Sequence, residues 1–420
     1  MTEINDILRL LNLWWQDKKI SEKIAKPYKR HIFGKFKELI NYRQMIIISG
    51  LRRVGKTTLM YQLIESLLEK TDSEKLIYFN FDKKTEEINK ILDEYQEITN
   101  IDWKREKIFV FLDEIVKLDD WANKIKLIYD AFPNIKFIIS SSGSIALEKE
   151  AIKNLAGRYF LINVLPLNFR EFLELRGKKE IIKNPKLWEK EAKKEFESYL
   201  LRSFPETVEW SNAMQIKDYL RTTIIDKIIK DDLPDKFKHV NKELLLTLLR
   251  IFYTEPGTYL DYDNLSRDLK ISKKTLLLHV FFLEFSYLIK RIRNFRISTR
   301  TSSRKLQRAY AKWWTLAYCY TENYDKIMEN VVASSIDADY YWRKDGKEVD
   351  FLIVNEKFLP IEVKNREKLS NSDLANIDYL LRKFKIKEGI VLYNGNGEKI
   401  KMEGREISLV PLWKWLLEEK

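Results

Sequence analysis

The sequence predicts an α/β chain that opens with a parallel sheet and continues into smaller helical and α+β parts. Three observations predict this. Short apolar runs at 45–49, 76–81, 108–112 and 135–140 alternate with segments of helical spacing. Strands that are apolar throughout, rather than on alternate residues, are buried on both faces, and parallel sheets bury their strands that way. A glycine-containing loop links the first run to a helix, and the alternation stops after Pro166.

The elements follow in order. Residues 4–13 and 33–40 read as basic helices, and 45–49 as a β-rich strand. Residues 56–70 carry Leu59, Leu63 and Leu67 at helical spacing. Strands are expected at 76–81 and 108–112, a helix at 121–132 and a further strand at 135–140. Residues 168–235 are helical, with Phe169, Phe172, Leu173 and Leu175 on one side and Pro205 and Pro234 as punctuation. Helices at 244–253, 262–269 and 272–287 follow, the last capped by Ser272. An alternating hairpin at 288–299 would form a wing. From about 320 the pattern is α+β, ending in the apolar stretch 411–417. The expected division is therefore 1–166, 167–238, 239–318 and 319–420.

Hydrophobic residues make up 45% of the 420 and charged residues 33%, which suits a folded chain with a sizeable core. A single cysteine, Cys319, excludes an internal disulfide and favours a reducing compartment. The N-terminus lacks a signal-peptide pattern, and no apolar run reaches the ~20 residues needed to cross a bilayer. A cytoplasmic protein without a membrane partner is expected. His31, His239 and His279 are dispersed, so zinc-ligand spacing is missing. The net charge of +13 favours polyanions, above all nucleic acid. Its alternative is a Lys- and Glu-rich surface suited to heat.

Gly50-Leu51-Arg52-Arg53-Val54-Gly55-Lys56-Thr57 fits the phosphate-binding pattern G-x-x-x-x-G-K-[ST], with Thr58 following. The glycines allow close approach, and successive N–H groups point at phosphate oxygens from a helix N-terminus. Lys56 would reach the β- and γ-phosphates of ATP, and the Thr57 hydroxyl would bind Mg²⁺. Arg52 and Arg53 face either phosphate or solvent. Downstream, the strand 108–112 ends in Asp113 and Glu114. The first is assigned to the metal, the second to the attacking water. The next strand ends in a serine run in which Ser142 or Ser144 could sense the γ-phosphate. Arg158 is either a cation for the transition state or one half of a surface ion pair.

These residues resemble a prokaryotic, largely archaeal family of AAA-type ATPases with a C-terminal domain related to restriction endonucleases. The resemblance runs through GLRRVGKTT, FLDEI, SSSGS, LAGRY, LPLNFREFLEL and the FPE of 204–206. It continues in the MEN of 328–330, then KEVDFLI and PIEVK. It implies an AAA-type core whose sensor strand lies between the loop strand and the Asp113 strand, a helical lid, a winged helix and the nuclease-like domain. It implies ATPase roles for Lys56, Thr57, Asp113 and Glu114, a sensor at Ser142 or Ser144, and Arg158 acting in cis or in trans. An Arg158 acting in trans would require a homo-oligomer. The chain departs from the family at Val116, where glutamine is common, and at Arg202-Ser203, where two glycines are common.

A second constellation lies in Glu348–Ile353 and Pro360–Lys364. Glu362 and Lys364 share a strand face, and Asp350 can approach from the paired strand. Glu329 on the preceding helix could add a carboxylate. Two carboxylates facing a lysine resemble the PD-(D/E)XK nuclease pattern, which would hold Mg²⁺. The alternative is a strand pair with an ordinary salt bridge.

Residues 290–312 contain Lys290, Arg291, Arg293, Arg296, Arg300, Arg304, Lys305, Arg308 and Lys312. On a wing they could contact the phosphates of double-stranded DNA. The helix at 272–287 is too apolar to read bases readily. The expected function is an ATP-hydrolysing protein that couples nucleotide state to DNA binding, with metal-dependent cleavage as a possible addition. The alternative is an ATPase switch whose C-terminal part binds proteins and is catalytically inactive.

Overall fold

The computed structural model describes residues 3–142, 151, 153–296, 306–336, 338–354 and 358–418. The chain forms two compact units, Met1–Pro166 and Leu167–Lys420.

The first unit is built on β1 (Met45–Ser49), β2 (Leu76–Asn80), β3 (Ile108–Asp113), β4 (Ile135–Ser141) and β5 (Tyr159–Asn163). All neighbours are parallel, in the order β2-β3-β4-β1-β5. Every residue of β1, β3 and β4 is buried, as their predominantly apolar sequences favour. The helices are α1 (Glu3–Leu11), α2 (Phe33–Leu39), α3 (Lys56–Leu68), α4 (Ile88–Thr99) and α5 (Trp121–Ala131). Ile47, Val110, Phe137 and Ile139 on one sheet face pack with Leu8, Ile91, Leu92 and Ile125 from α1, α4 and α5. The sheet thus holds the ends of β1, β3 and β4 side by side, where the candidate residues sit.

β2 lies at the edge of this sheet, where unpaired backbone groups need a partner. The buried Asn12 supplies it. Its amide accepts from the Tyr78 N–H at 2.7 Å and donates to the Tyr78 carbonyl at 2.9 Å, as a neighbouring strand would. Trp14 and Trp15 both donate to the Leu76 carbonyl. Asn12→Ala leaves two buried backbone groups unsatisfied and lowers stability by about 2 kcal/mol. Denaturant unfolding of the full chain checks this, and a loss below about 0.5 kcal/mol contradicts it.

The second unit starts with helices, including α6 (Phe169–Leu175) and α7 (Glu189–Arg202). Asn168 and Glu171 form a capping box at the start of α6. Next come α8 (Lys242–Thr254), β6 (Thr258–Tyr259), α9 (Tyr262–Asp268), α10 (Lys273–Phe285), β7 (Ile289–Asn294) and β8 (Arg308–Ala311). Ser272 caps α10. The wing differs from expectation. β7 takes up only 289–294, and its antiparallel partner is β8, not a strand within 288–299. The residues 290–294 alternate too weakly to mark where the hairpin returns, and β8 is short and apolar apart from Arg308.

The remainder comprises α11 (Tyr324–Ser335), β9 (Tyr340–Lys344), β10 (Lys347–Val354), β11 (Phe358–Lys364), α12 (Asn371–Phe384), β12 (Glu388–Tyr393), β13 (Glu398–Met402), β14 (Arg405–Pro411) and α13 (Leu412–Glu418). Asp345 and Gly346, both at positive φ, turn the β9–β10 hairpin. β7 pairs with β9 in parallel, so β6 to β14 form one nine-stranded sheet. Its order is β13-β14-β12-β11-β10-β9-β7-β8-β6, with β9 and β7 between β10 and β8. No helix among the described residues is long and apolar enough to cross a membrane.

Candidate functional site

The loop after β1 leads directly into α3. Gly50 has φ +151°, and a Cβ there would collide with the Val164 carbonyl. Gly55, at φ +93°, is the N-cap of α3 and needs the left-handed region that glycine enters without cost. Arg30, from the basic N-terminal segment, braces the loop by donating to the carbonyls of Val54 (3.2 Å) and Leu165 (2.6 Å). Lys56 is buried, and its ammonium donates to the carbonyls of Gly50 (3.0 Å) and Leu51 (2.8 Å). Thr57 is exposed, Thr58 and Arg52 are half-buried, and Arg53 is exposed at φ +66°.

Asp113 meets Thr57 across the loop mouth. The Thr57 hydroxyl donates to Oδ2 at 2.7 Å, Tyr78 to the same oxygen at 2.8 Å, and Ser140 to Oδ1. Asn80 lies opposite Asp113 in the β2–β3 register. Burial pushes the Tyr78 hydroxyl well above its ordinary range, so it stays a donor to this carboxylate. Glu114 stands in the left-handed region at φ +56°. This re-aims its side chain toward β4, where Oε2 accepts from the Ser142 N–H (3.0 Å), the Ser142 hydroxyl (2.9 Å) and the Ser141 hydroxyl (3.3 Å). Burial raises the Glu114 carboxyl above its usual range, while Lys56 and Arg52 pull it back. β4 lies between β1 and β3.

The structure brings Lys56, Thr57, Asp113, Glu114 and Ser142 together. Ser144 lies outside the described residues. Arg158 is not brought in. Its carbonyl accepts from the Met45 N–H at the start of β1, and its guanidinium pairs with Asp130 at 2.8 Å. The strand's length, roughly 16 Å for five residues, separates it from Gly50, so a cis role in this site does not hold. Tyr78, Asn80, Ser140 and Arg30 were not foreseen. The first three sit at strand ends flanking Asp113, a placement that only the sheet order reveals. A hydroxyl and a carboxylate oxygen side by side suit Mg²⁺, a hard cation that retains waters.

In the second unit Asp350 and Glu362 face each other across β10 and β11, next to the pair Phe351 and Ile361. Asp350 Oδ2 accepts from the Val363 N–H (2.9 Å), and Glu362 Oε2 from the Asp350 N–H (3.4 Å). Lys364 donates to Glu362 Oε1 at 2.6 Å. Burial, with each carboxylate's charge acting on its neighbours, raises both Asp350 and Glu362. Burial would lower Lys364, but the Glu362 and Asp350 carboxylates outweigh it and raise it. Glu329 of α11 is buried, and Arg308, which sequence reading placed on the wing, joins it. Arg308 Nη2 lies 2.5 Å from Glu329 Oε1, and Nη1 lies 3.1 Å from Glu348 Oε1 and 3.7 Å from Asp350 Oδ1. Each of these carboxylates lies within ion-pair distance of a cation. Among the described residues no three Asp, Glu, His or Cys side chains are grouped to hold a metal ion. The Mg²⁺ implied by a PD-(D/E)XK resemblance does not fit this arrangement.

The basic stretch 290–312 is partly consumed internally. Lys290 donates to the carbonyls of Ala333 and Ile336, Arg291 pairs with Glu284, and Arg308 is buried. Arg293 is exposed, while Arg300, Arg304 and Lys305 lie outside the described residues.

The first unit has the fold of an AAA-type P-loop core. Comparison with known proteins agrees: residues 42–173 match the family model described as AAA domain. Residues 193–312 match Domain of unknown function (DUF8612), and residues 324–415 match Domain of unknown function (DUF4143). The chain is 29% identical over 398 residues to the uncharacterized protein MJ1544 of Methanocaldococcus jannaschii, with 88% of each covered. It is 26% identical to MJ1637 of the same organism, covering 99% of this chain and 94% of that one. An uncharacterized Haemophilus influenzae protein is 23% identical over 87% of this chain and 93% of its own length. Among solved structures, the Walker-type ATPase PABY2304 of Pyrococcus abyssi aligns over 73% of this chain and 97% of its own, at 17% identity and a TM-score of 0.39.

Proposed function

We propose that the protein binds ATP with Mg²⁺, hydrolyses it, and couples nucleotide state to the binding of double-stranded DNA. The observation that carries the ATPase reading is the meeting of Lys56, Thr57, Asp113 and Glu114 at one loop mouth, with Glu114 held by Ser142. On ATP binding, the Lys56 ammonium exchanges the carbonyls of Gly50 and Leu51 for β- and γ-phosphate oxygens. The loop N–H groups and the start of α3 supply the rest of the anion site. Thr57 and Asp113 would hold Mg²⁺, which supplies charge neutralisation on the phosphates. Glu114 orients and polarises the attacking water, and Ser142 fixes the direction of its carboxylate.

Two observations support DNA as the partner. The net charge is +13. A cleft of about 530 Å³ in the second unit is lined by Arg296, Arg343 and Lys344 together with Tyr259 and Tyr341. Cations among aromatic rings suit a phosphate backbone without base reading. Titration of a duplex at several salt concentrations tests this. Affinity falls by a constant power of salt, and Arg296→Ala with Lys344→Ala flattens that dependence by about two released ions. Undetectable duplex binding at low salt would overturn the DNA reading. It would favour the protein-binding switch, which the outward Leu277 and Leu278 on α10, 44% and 40% exposed, support.

A further inference from the structure

We infer that Arg308 is the resident cation of the acidic cluster on β10 and β11, and that it keeps divalent metal ions out of that cluster. This inference is independent of whether ATP binding is coupled to DNA.

Arg308 opens β8 and is 4% exposed, in a unit where most basic residues face solvent. Its guanidinium lies among Glu329 of α11 and Glu348 and Asp350 of β10. The rings of Tyr259, Tyr310 and Tyr341 surround it at 5.6, 5.3 and 5.7 Å. Nε donates to the Gly257 carbonyl at 2.9 Å. The fit is tight: a Cβ on Gly257 would stand 2.8 Å from Nη2. A planar, permanently charged fork suits such a slot better than the mobile ammonium of lysine.

Each carboxylate of the cluster faces a cation, and Asp350 Oδ1 does so through the ion pair alone, 3.7 Å from Arg308 Nη1. Glu329 gives Oε1 to Arg308 and Tyr310, and Oε2 to Lys326. Glu348 gives Oε1 to Arg308, and Oε2 to Tyr259 and Arg343. Asp350 faces Arg308 with Oδ1 and the Val363 N–H with Oδ2. Glu362 is taken by Lys364 and the Asp350 N–H. Four carboxylates therefore meet four cations, Arg308, Lys326, Arg343 and Lys364. A divalent ion needs several of these oxygens turned to one centre at ~2.0–2.5 Å, and it would have to displace the guanidinium to get them. The cluster ties the first residue of β8 to β10 and α11. A cluster neutralised by its own cations would not gather the divalent metal that phosphodiester cleavage by carboxylates requires.

The test is Mn²⁺ binding to the full chain, read by electron paramagnetic resonance, with Asp350→Asn as the subtraction. Wild type and Asp350→Asn should bind the same number of Mn²⁺ ions, because the cluster contributes none. Arg308→Met should gain one further equivalent, and Arg308→Met with Asp350→Asn should lose it again. An equivalent present in wild type and lost in Asp350→Asn would overturn the inference. So would a folded Arg308→Met that gains nothing. If Arg308→Met does not fold, the wild-type and Asp350→Asn pair still decides the matter. Plasmid DNA incubated with Mn²⁺ and wild type should stay intact, and nicking that Asp350→Asn abolishes would count against the inference.

Discussion

Glu114→Gln is expected to leave ATP bound and to lower its hydrolysis by about 10²–10⁴-fold, the usual worth of a positioned general base. Glutamine keeps the size of the side chain, and its carbonyl oxygen can still accept from Ser142. The backbone at residue 114 stays in the left-handed region, and the neighbouring Asp113 keeps its donors Thr57, Tyr78 and Ser140. What is lost is the negative charge that draws a proton from the attacking water. Lys56→Ala should behave differently, because it removes a cation that contacts the nucleotide itself, so both affinity and turnover fall. Fluorescent-nucleotide binding combined with single-turnover phosphate release separates the two. A Glu114→Gln variant that hydrolyses ATP within about threefold of wild type would remove Glu114 from the mechanism.

Arg308→Met should lower the stability of the chain by about 3–5 kcal/mol, the cost of removing one partner from a buried ionic cluster. Methionine fills much of the slot among Tyr259, Tyr310 and Tyr341, so lost packing is a minor part. The main cost is the uncompensated charge on the buried Glu329 and on the half-buried Asp350 and Glu348 beside it. Arg293→Met is the control: Arg293 is two residues past Arg291 on β7, exposed, and outside the cluster, so a change within ±0.5 kcal/mol is expected there. Urea unfolding compares the two. Equal losses for Arg308→Met and Arg293→Met would mean that the cluster carries little of the fold's stability.

Much of the first unit can be read from its sequence because a parallel sheet writes itself as uninterrupted apolar runs. Each predicted strand there ends within one residue of the observed one. The loop motif and the acids after β3 are also local signals, since each sits at a strand end. What could not be read depends on sheet order. Tyr78, Asn80 and Ser140 become partners of Asp113 only once β2, β3 and β4 are neighbours. Asn12 is an unremarkable residue until β2 is known to be an edge. The wing misled for a related reason: a run of basic residues looks alike whether it faces a phosphate or a carboxylate. Arg308 faces three carboxylates because β7 pairs with both β8 and β9, a long-range pairing without a sequence mark. The short acidic motif around Asp350 and Glu362 was visible, but its counter-ion lies some forty residues upstream.

The most direct test of the central claim is phosphate release from ATP in the presence of Mg²⁺, with and without duplex DNA, for wild type and Lys56→Ala. Hydrolysis by wild type that duplex DNA stimulates, and that Lys56→Ala abolishes, is the predicted result. Hydrolysis that is indifferent to DNA, or that survives in Lys56→Ala, would contradict it.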